Sequence, residues 1–161
     1  LLAEYVGGIQ GDTFKSYWME RGNELEPKAR EYIEFVTGLE FTETGLIWPD
    51  DKKQVGVSPD GFNFDLHEGL EIKCPKESTH IRNILYYKQH DKIHTEYVSQ
   101  VQGSMYVTGA KRWHFVSYEP AMLPLYIVVE RDDEWIESFK SELDKFITKL
   151  NKNKELLLDY K

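Results

Sequence analysis

The clearest hydrophobic spacing lies in residues 23–37, where Leu25, Ala29, Tyr32, Ile33 and Val36 recur at three- and four-residue intervals. That period lays apolar side chains along one stripe and predicts an amphipathic helix. Pro27 suits it only within the first turn, and Gly38 ends it. Upstream, Gly7-Gly8 breaks a short apolar segment, and Asp12 or Thr13 is a candidate cap for a helix over residues 14–19. Downstream the pattern becomes alternating, which predicts strands over residues 40–48, 54–58 and 68–74, the first two joined by a turn at Pro49-Asp50-Asp51-Lys52. Residues 62–69 read as a hairpin connection. Residues 95–107 regain helical spacing, with Val98, Val101, Met105 and Tyr97 on the buried side and Gly103 allowing close packing. Residues 111–118 and 125–129 are dense in aromatic and β-branched side chains and read as two more strands. A terminal helix over residues 134–150 is expected to pack on the sheet through Trp135, Ile136, Phe139, Leu143, Phe146, Ile147 and Leu150. Residues 151–161 are expected to fray or to join a neighbouring subunit. The order is helix, three strands, helix, two strands, helix. It predicts an α/β fold with a mixed central β-sheet flanked by helices.

Within this pattern the third strand stands out. Leu70, Ile72 and Cys74 face one way and Glu71 and Lys73 the other, because strand side chains alternate. Pro59-Asp60-Gly61 is a turn that projects a carboxylate at the end of the preceding strand. A hairpin that returns Asp60 beside Glu71 gathers two carboxylates and one ammonium into a small site. Paired carboxylates repel unless a cation neutralises them, and hard oxygen donors suit Mg²⁺ or Mn²⁺. The lysine is then placed to orient an attacking hydroxide or to offset charge in a phosphoryl-transfer transition state.

Composition changes this picture little. At 161 residues with 40% hydrophobic and 30% charged residues, the chain reads as one domain, residues 1–161, able to bury a core. It contains no apolar run long enough to span a bilayer and no signal-peptide pattern, so a cytoplasmic address is expected. The single cysteine, Cys74, excludes a disulfide framework and a four-cysteine metal or cluster site. The net charge of −8 runs against a duplex-gripping surface unless the acid is concentrated in a metal site and on outer faces. A basic stretch does follow the third strand: Lys76, His80, Arg82, Lys88, His90, Lys92 and His94, with Tyr86 and Tyr87 among them. It reads equally as a solvated helix and loop or as a phosphate-contacting surface. The histidine spacing argues against zinc. Asp65 and Glu68 read as loop carboxylates.

Asp60 followed by Glu71-Ile72-Lys73 resembles the PD-(D/E)XK nuclease superfamily. Ser58-Pro59-Asp60-Gly61, Gly69-Leu70-Glu71-Ile72-Lys73-Cys74-Pro75 and Gln100-Val101-Gln102-Gly103-Ser104-Met105 together resemble the lambda exonuclease (YqaJ-type viral recombinase) family. Arg21-Gly22-Asn23-Glu24-Leu25-Glu26 and the stretch from Trp113 to Asp133 extend the likeness over most of the chain, in the same order. The resemblance implies a restriction-endonuclease-like core and a Mg²⁺-dependent deoxyribonuclease using two ions, with Mn²⁺ as a substitute. Such an enzyme digests one strand of linear double-stranded DNA from its 5′ end and leaves a 3′ tail for a single-strand annealing protein. It further implies a homotrimer around DNA and a phage or prophage gene acting in a bacterial cytoplasm, with no membrane association.

Residue by residue, the likeness implies that Asp60, Glu71 and the backbone carbonyl of Ile72 hold the metals. Lys73 activates the water and Gln100 places it, with Tyr97 in support. Glu26 reads from spacing alone as a solvated first-turn glutamate that suits the helix dipole; the resemblance makes it a metal ligand or an outer partner. Lys76, Arg82 and Lys88 are candidate DNA contacts, with Tyr97. One departure stands out. Family members carry an N-terminal arginine and hydroxyl residues that grip the terminal 5′ phosphate, and no counterpart precedes the first matched helix. The chain begins at Leu1 rather than Met, so a preceding segment is left open. Two other readings keep the same residues: a structure- or site-specific endonuclease, and a non-catalytic DNA-binding assembly subunit. A glycosidase built on Asp60 and Glu71 leaves Lys73 without a purpose.

Overall fold

The structure, a computed structural model, describes residues 17–159, with Trp18 through its backbone alone. The expected glycine break, the candidate caps at Asp12 and Thr13, and residues 14–16 lie outside the described residues. Two compact units make up the chain, one spanning Ser16–Asp132 and the other built on the terminal helix.

In the first unit, helix α1 (Tyr17–Thr37) precedes strands β1 (Gly61–Asn63) and β2 (Glu68–Lys73). Helices α2 (Glu77–His90) and α3 (Thr95–Thr108) follow, then strands β3 (Arg112–Ser117) and β4 (Leu125–Glu130). The sheet has four strands in the order β1-β2-β3-β4. β1 and β2 are antiparallel with Gly61 opposite Leu70, β2 and β3 are parallel with Lys73 opposite Ser117, and β3 and β4 are antiparallel. The sheet is therefore mixed, as the alternation of patterns predicted, and α2 and α3 form the crossover that a parallel pair needs.

Two apolar clusters hold the layers. One joins Ala29 and Ile33 of α1 to Phe41, Leu70, Ile72 and Val116. The other joins Val101 and Met105 of α3 to Phe62, Trp113, Phe115 and Ile127. Because the sheet is covered on both sides, β2 is buried almost throughout rather than apolar-in and polar-out. Glu71 therefore points into the α3 side of the molecule, opposite the cluster that holds Leu70 and Ile72, as the alternation rule placed it.

Several boundaries differ from the sequence expectation. Helix α1 is already helical at Tyr17, so Pro27 lies inside it and withholds one intrahelical amide. Its buried stripe is Leu25, Ala29 and Ile33, whereas Tyr32 and Val36 are exposed. Residues 40–48 and 54–58 are not strands; the first touches the sheet through the isolated bridge Thr42–Phe62, and the two segments meet each other at Ile47–Val57. Gly45 and Gly56 interrupt these segments, and glycine contributes no side chain to a strand face. The hairpin connection narrows to residues 64–67, since Phe62 and Gly69 are paired in β1 and β2.

In the second unit, α4 (Asp133–Leu158) runs eight residues beyond the expected end at Leu150. The Trp135 and Phe139 rings stack along it at 5.2 Å.

Candidate active site

The turn Pro59-Asp60-Gly61 delivers its carboxylate as expected, and the reason is a short antiparallel ladder. The Asp60 amide donates to the Leu70 carbonyl at 3.1 Å, which sets Asp60 across from Glu71. Asp60 Oδ2 then accepts the Ile72 N–H at 2.6 Å, so the backbone of β2 aims the side chain. Glu71 Oε1 accepts from Lys73 Nζ at 2.5 Å and from Gln100 Nε2 of α3 at 2.6 Å. The structure thus brings Asp60, Glu71, Ile72, Lys73 and Gln100 to one place. Glu26, on α1, belongs to the same charge cluster, since it feels Asp60 and Lys73 directly. With Asn23, Arg30, Thr44 and Asp60 it lines a cleft of about 260 Å³.

The electrostatics follow from burial. Glu71 is 2% exposed. Its carboxyl is pushed up to about 7, chiefly by burial; Lys73 opposes the rise while Asp60 and Glu26 add to it. Asp60 is raised by burial against the pull of the Ile72 N–H, Lys73 and Arg30. Glu26 is raised by burial and then by the Asp60 charge. Three carboxyls held above their ordinary range beside one ammonium form a site whose repulsion a cation relieves. Their oxygens are hard donors, the class that takes Mg²⁺ or Mn²⁺. Among the described residues no three His, Cys, Asp or Glu side chains stand assembled as a cage. Burial pushes the adjacent Cys74 thiol up to about 12, which keeps it protonated and inert.

The candidate DNA contacts are placed differently. Arg82 is engaged by Glu96, and its Nη2 reaches Asn83 Oδ1 at 3.4 Å. Lys76 caps the start of α2 without a side-chain bond, and Lys88 is exposed in its last turn. The Tyr97 ring packs on Phe115 at 5.0 Å, and its hydroxyl accepts from Asn83. His80, read from sequence as part of the basic surface, is wholly buried between Ser117 and the Leu123 carbonyl. Glu68, read as a loop carboxylate, is a buried strand residue paired with Arg112 at 2.5 Å and His114 at 2.7 Å. The second glutamine, Gln102, ties α3 to the chain after β4 through Glu130 and Asp132.

Sequence reasoning missed two arginines. Arg30 Nη2 donates to the Asp60 carbonyl at 2.7 Å, and Nη1 pairs with Glu43. Arg30 stands one helical turn after Glu26, which was the available signal. Arg21 reaches the Pro75 carbonyl and Glu119, both at 3.4 Å, tying α1 to the segment just beyond Lys73.

Comparison with known proteins bears on this arrangement. The description of the YqaJ-like viral recombinase domain matches residues 1–111. An alkaline exonuclease, LHK-Exo, from Laribacter hongkongensis is 34% identical, with a TM-score of 0.86 over 99% of this chain and 80% of that one. The same enzyme crystallised in complex with dAMP gives a TM-score of 0.85 over 97% of this chain and 78% of that one. A phage-related exonuclease from Haemophilus somnus 129PT, at 16% identity and a TM-score of 0.62 over 92% of this chain and 80% of that one, shares the fold. A protein of Escherichia coli K12, ExoD, is 36% identical over 64 residues, which is 38% of this chain and 74% of that protein.

Proposed function

The chain belongs to the YqaJ-like viral recombinase family, and from that premise we propose that it is a metal-dependent exonuclease acting on linear double-stranded DNA. Residues 1–161 act as one nuclease domain that digests one strand from its 5′ end to mononucleotides. The remaining 3′ single-stranded tail passes to a single-strand annealing protein. The observation that carries the reading is the meeting of Asp60, Glu71 and Lys73, with Gln100, where the turn before β1 lies against β2. The 34% identical alkaline exonuclease, crystallised with dAMP, supports a mononucleotide product.

Asp60, Glu71, the Ile72 carbonyl and Glu26 would hold Mg²⁺, two ions in the family arrangement, with Mn²⁺ as a substitute. Bound there, the ions supply positive charge that lowers the pKa of a water and stabilises the attacking and leaving oxygens. The protein supplies the rest. Lys73 is the fixed ammonium beside Glu71, and it orients the attacking water and offsets developing phosphoryl charge. Gln100 donates to the same carboxylate oxygen and so sets the distance between Lys73 and Glu71. Arg30 holds the Asp60 carbonyl and keeps that turn against β2. Cys74 takes no part, since its thiol stays protonated.

The acidic chain can hold DNA if the favourable field is confined to a channel, and a homotrimer that encircles the duplex meets that need. No helix among the described residues is long and apolar enough to cross a membrane. The natural setting we infer is the cytoplasm of a bacterial host expressing a phage or prophage gene. The test is cleavage of linear duplex by the wild type, Asp60→Asn and Lys73→Ala, each with Mg²⁺ and with EDTA. Each substitution is expected to reduce the rate at least about a hundredfold, the loss seen when one charge-stabilising group is removed. Near-normal cutting by Lys73→Ala, or cutting in EDTA, would overturn the assignment.

A further inference from the structure

Helix α2 has two opposed faces. Inward, His80 bonds Ser117 Oγ at 2.8 Å and the Leu123 carbonyl at 3.1 Å. Asn83 donates to Ser117 Oγ and to the Tyr97 hydroxyl. Ile84 and Tyr87 pack on the core. These contacts fix the rotation of the helix about its own axis. The outward stripe is consequently fixed too, and it is Ser78, Ile81, Leu85 and Gln89, spaced at three and four residues. Ile81 is 46% exposed and Leu85 52% exposed. With Arg82 and Tyr86 they border a hollow of about 280 Å³.

A solvated helix face ordinarily carries lysine, glutamate or glutamine. An isoleucine and a leucine one turn apart gain nothing from water, and burying them against a partner is favourable. A third apolar side chain joins them. Leu123, 84% exposed, sits on the β3–β4 loop, and His80 holds its carbonyl beside the first turn of α2. The loop is held in shape: the Tyr118 amide bonds the Lys73 carbonyl, and Glu119 accepts from Arg21 and from the Ala121 amide. The apolar stripe is thus presented on a rigid backing.

The charge around it is the reverse of the molecule's. Residues 76–96 carry Lys76, Arg82, Lys88 and Lys92 against Glu77, Asp91 and Glu96, the last paired with Arg82, in a chain of net charge −8. We propose that the outer face of α2, with Ile81, Leu85 and Leu123 at its centre, docks an acidic amphipathic helix of a second protein. Apolar side chains of the partner at i, i+3 and i+4 fill the hollow, and its acidic rim meets Lys76, Lys88 and Arg82, the last exchanged from Glu96. DNA suits the face less well, because phosphates gain nothing from an Ile–Leu pair. The proposal asks nothing of the carboxylate site, so it stands or falls apart from the nuclease reading.

The probe is a fluorescein-labelled 16-residue helical peptide of leucine and glutamate, with the leucines at i, i+3, i+4 and i+7. A control peptide has the same composition with the leucines scattered. Anisotropy is measured with the full chain, with Ile81→Asp/Leu85→Asp and with Lys88→Glu, all checked for wild-type circular dichroism. The patterned peptide is expected to bind, to lose at least about tenfold in affinity on the double variant, and to lose about threefold on Lys88→Glu. Equal affinity for the scattered peptide, or no binding, overturns the proposal. So does a single-stranded oligonucleotide that displaces the peptide and binds the double variant as well as the wild type, which would make the face a nucleic-acid surface. Self-association of the wild type that the double variant loses would assign the face to a second copy, and would also overturn it.

Discussion

Glu71 is where burial, charge and chemistry meet. Its carboxyl titrates at about 7 against a free value of 4.5. Between those values the folded chain keeps a proton that the unfolded chain has lost. In metal-free protein its contribution to stability is therefore full below 4.5 and is lost as pH rises through 7. A divalent cation must displace that proton, so affinity for Mg²⁺ measured calorimetrically should rise about tenfold per pH unit below 7 and flatten above it. A flat profile from pH 5.5 to 7 would show that Glu71 is not a ligand. Gln100→Ala removes a donor from Oε1 and should slow cleavage about tenfold while leaving duplex binding unchanged, which a titration of labelled DNA reads directly. Asp60, Glu71 and Lys73 were legible because their spacing needs only a period of two and a hairpin. Arg30 was only partly so: its place one turn after Glu26 was visible, but its guanidinium meets the Asp60 backbone, and a main-chain acceptor leaves no mark in a sequence.

Between secondary-structure elements, the contact of Gly69 with Trp113 decides how β2 lies on β3. A Cβ at position 69 would stand 2.2 Å from the Trp113 ring. Gly69→Ala should cost about 3 kcal/mol, read as an earlier urea midpoint with an unchanged slope. A midpoint within error of wild type would mean the ring has room to move. A second clasp joins three strands: His114 of β3 bonds Glu68 of β2 and the Tyr126 hydroxyl of β4 at 2.6 Å. His114 is held below its ordinary value by burial, with Glu68 opposing. As pH falls below about 6.5 the unfolded chain takes up the proton that the folded chain resists, so stability drops on the acid side. Glu68→Gln exchanges the carboxylate that Arg112 and His114 share for a neutral amide and should cost about 2 kcal/mol, the worth of a hydrogen bond to a charged group; denaturation at pH 7 checks it. The amphipathic stripe predicted α3 well, and α1 in its second half, with Tyr32 and Val36 exposed against expectation. Residues 40–58 misled because alternation cannot show that a segment touches its neighbour at single bridges only. Glu68 misled because a charged residue beside a turn looks solvated until its partners, 44 and 46 residues away, are known.

Taken whole, the molecule sets an acidic composition, net −8, against the anionic polymer proposed as its substrate. The carboxylates sit in the Ser16–Asp132 unit, and cations held there would supply the positive charge that substrate phosphates meet. Fold class was readable from the sequence, because pattern length and order constrain it; the strand order β1-β2-β3-β4 was not, since β1 fell within the expected hairpin connection. What a free DNA end meets was not, because it depends on surfaces gathered from distant residues. The decisive measurement uses duplex DNA labelled at one 5′ end beside a covalently closed circle, each with Mg²⁺ and with EDTA. Loss of the linear DNA from its 5′ ends as mononucleotides, with the circle intact and EDTA abolishing both signals, is the expected result. Cutting of the circle would make the chain an endonuclease on the same carboxylates, and binding without cleavage in Mg²⁺ or Mn²⁺ would remove it from the enzymes altogether.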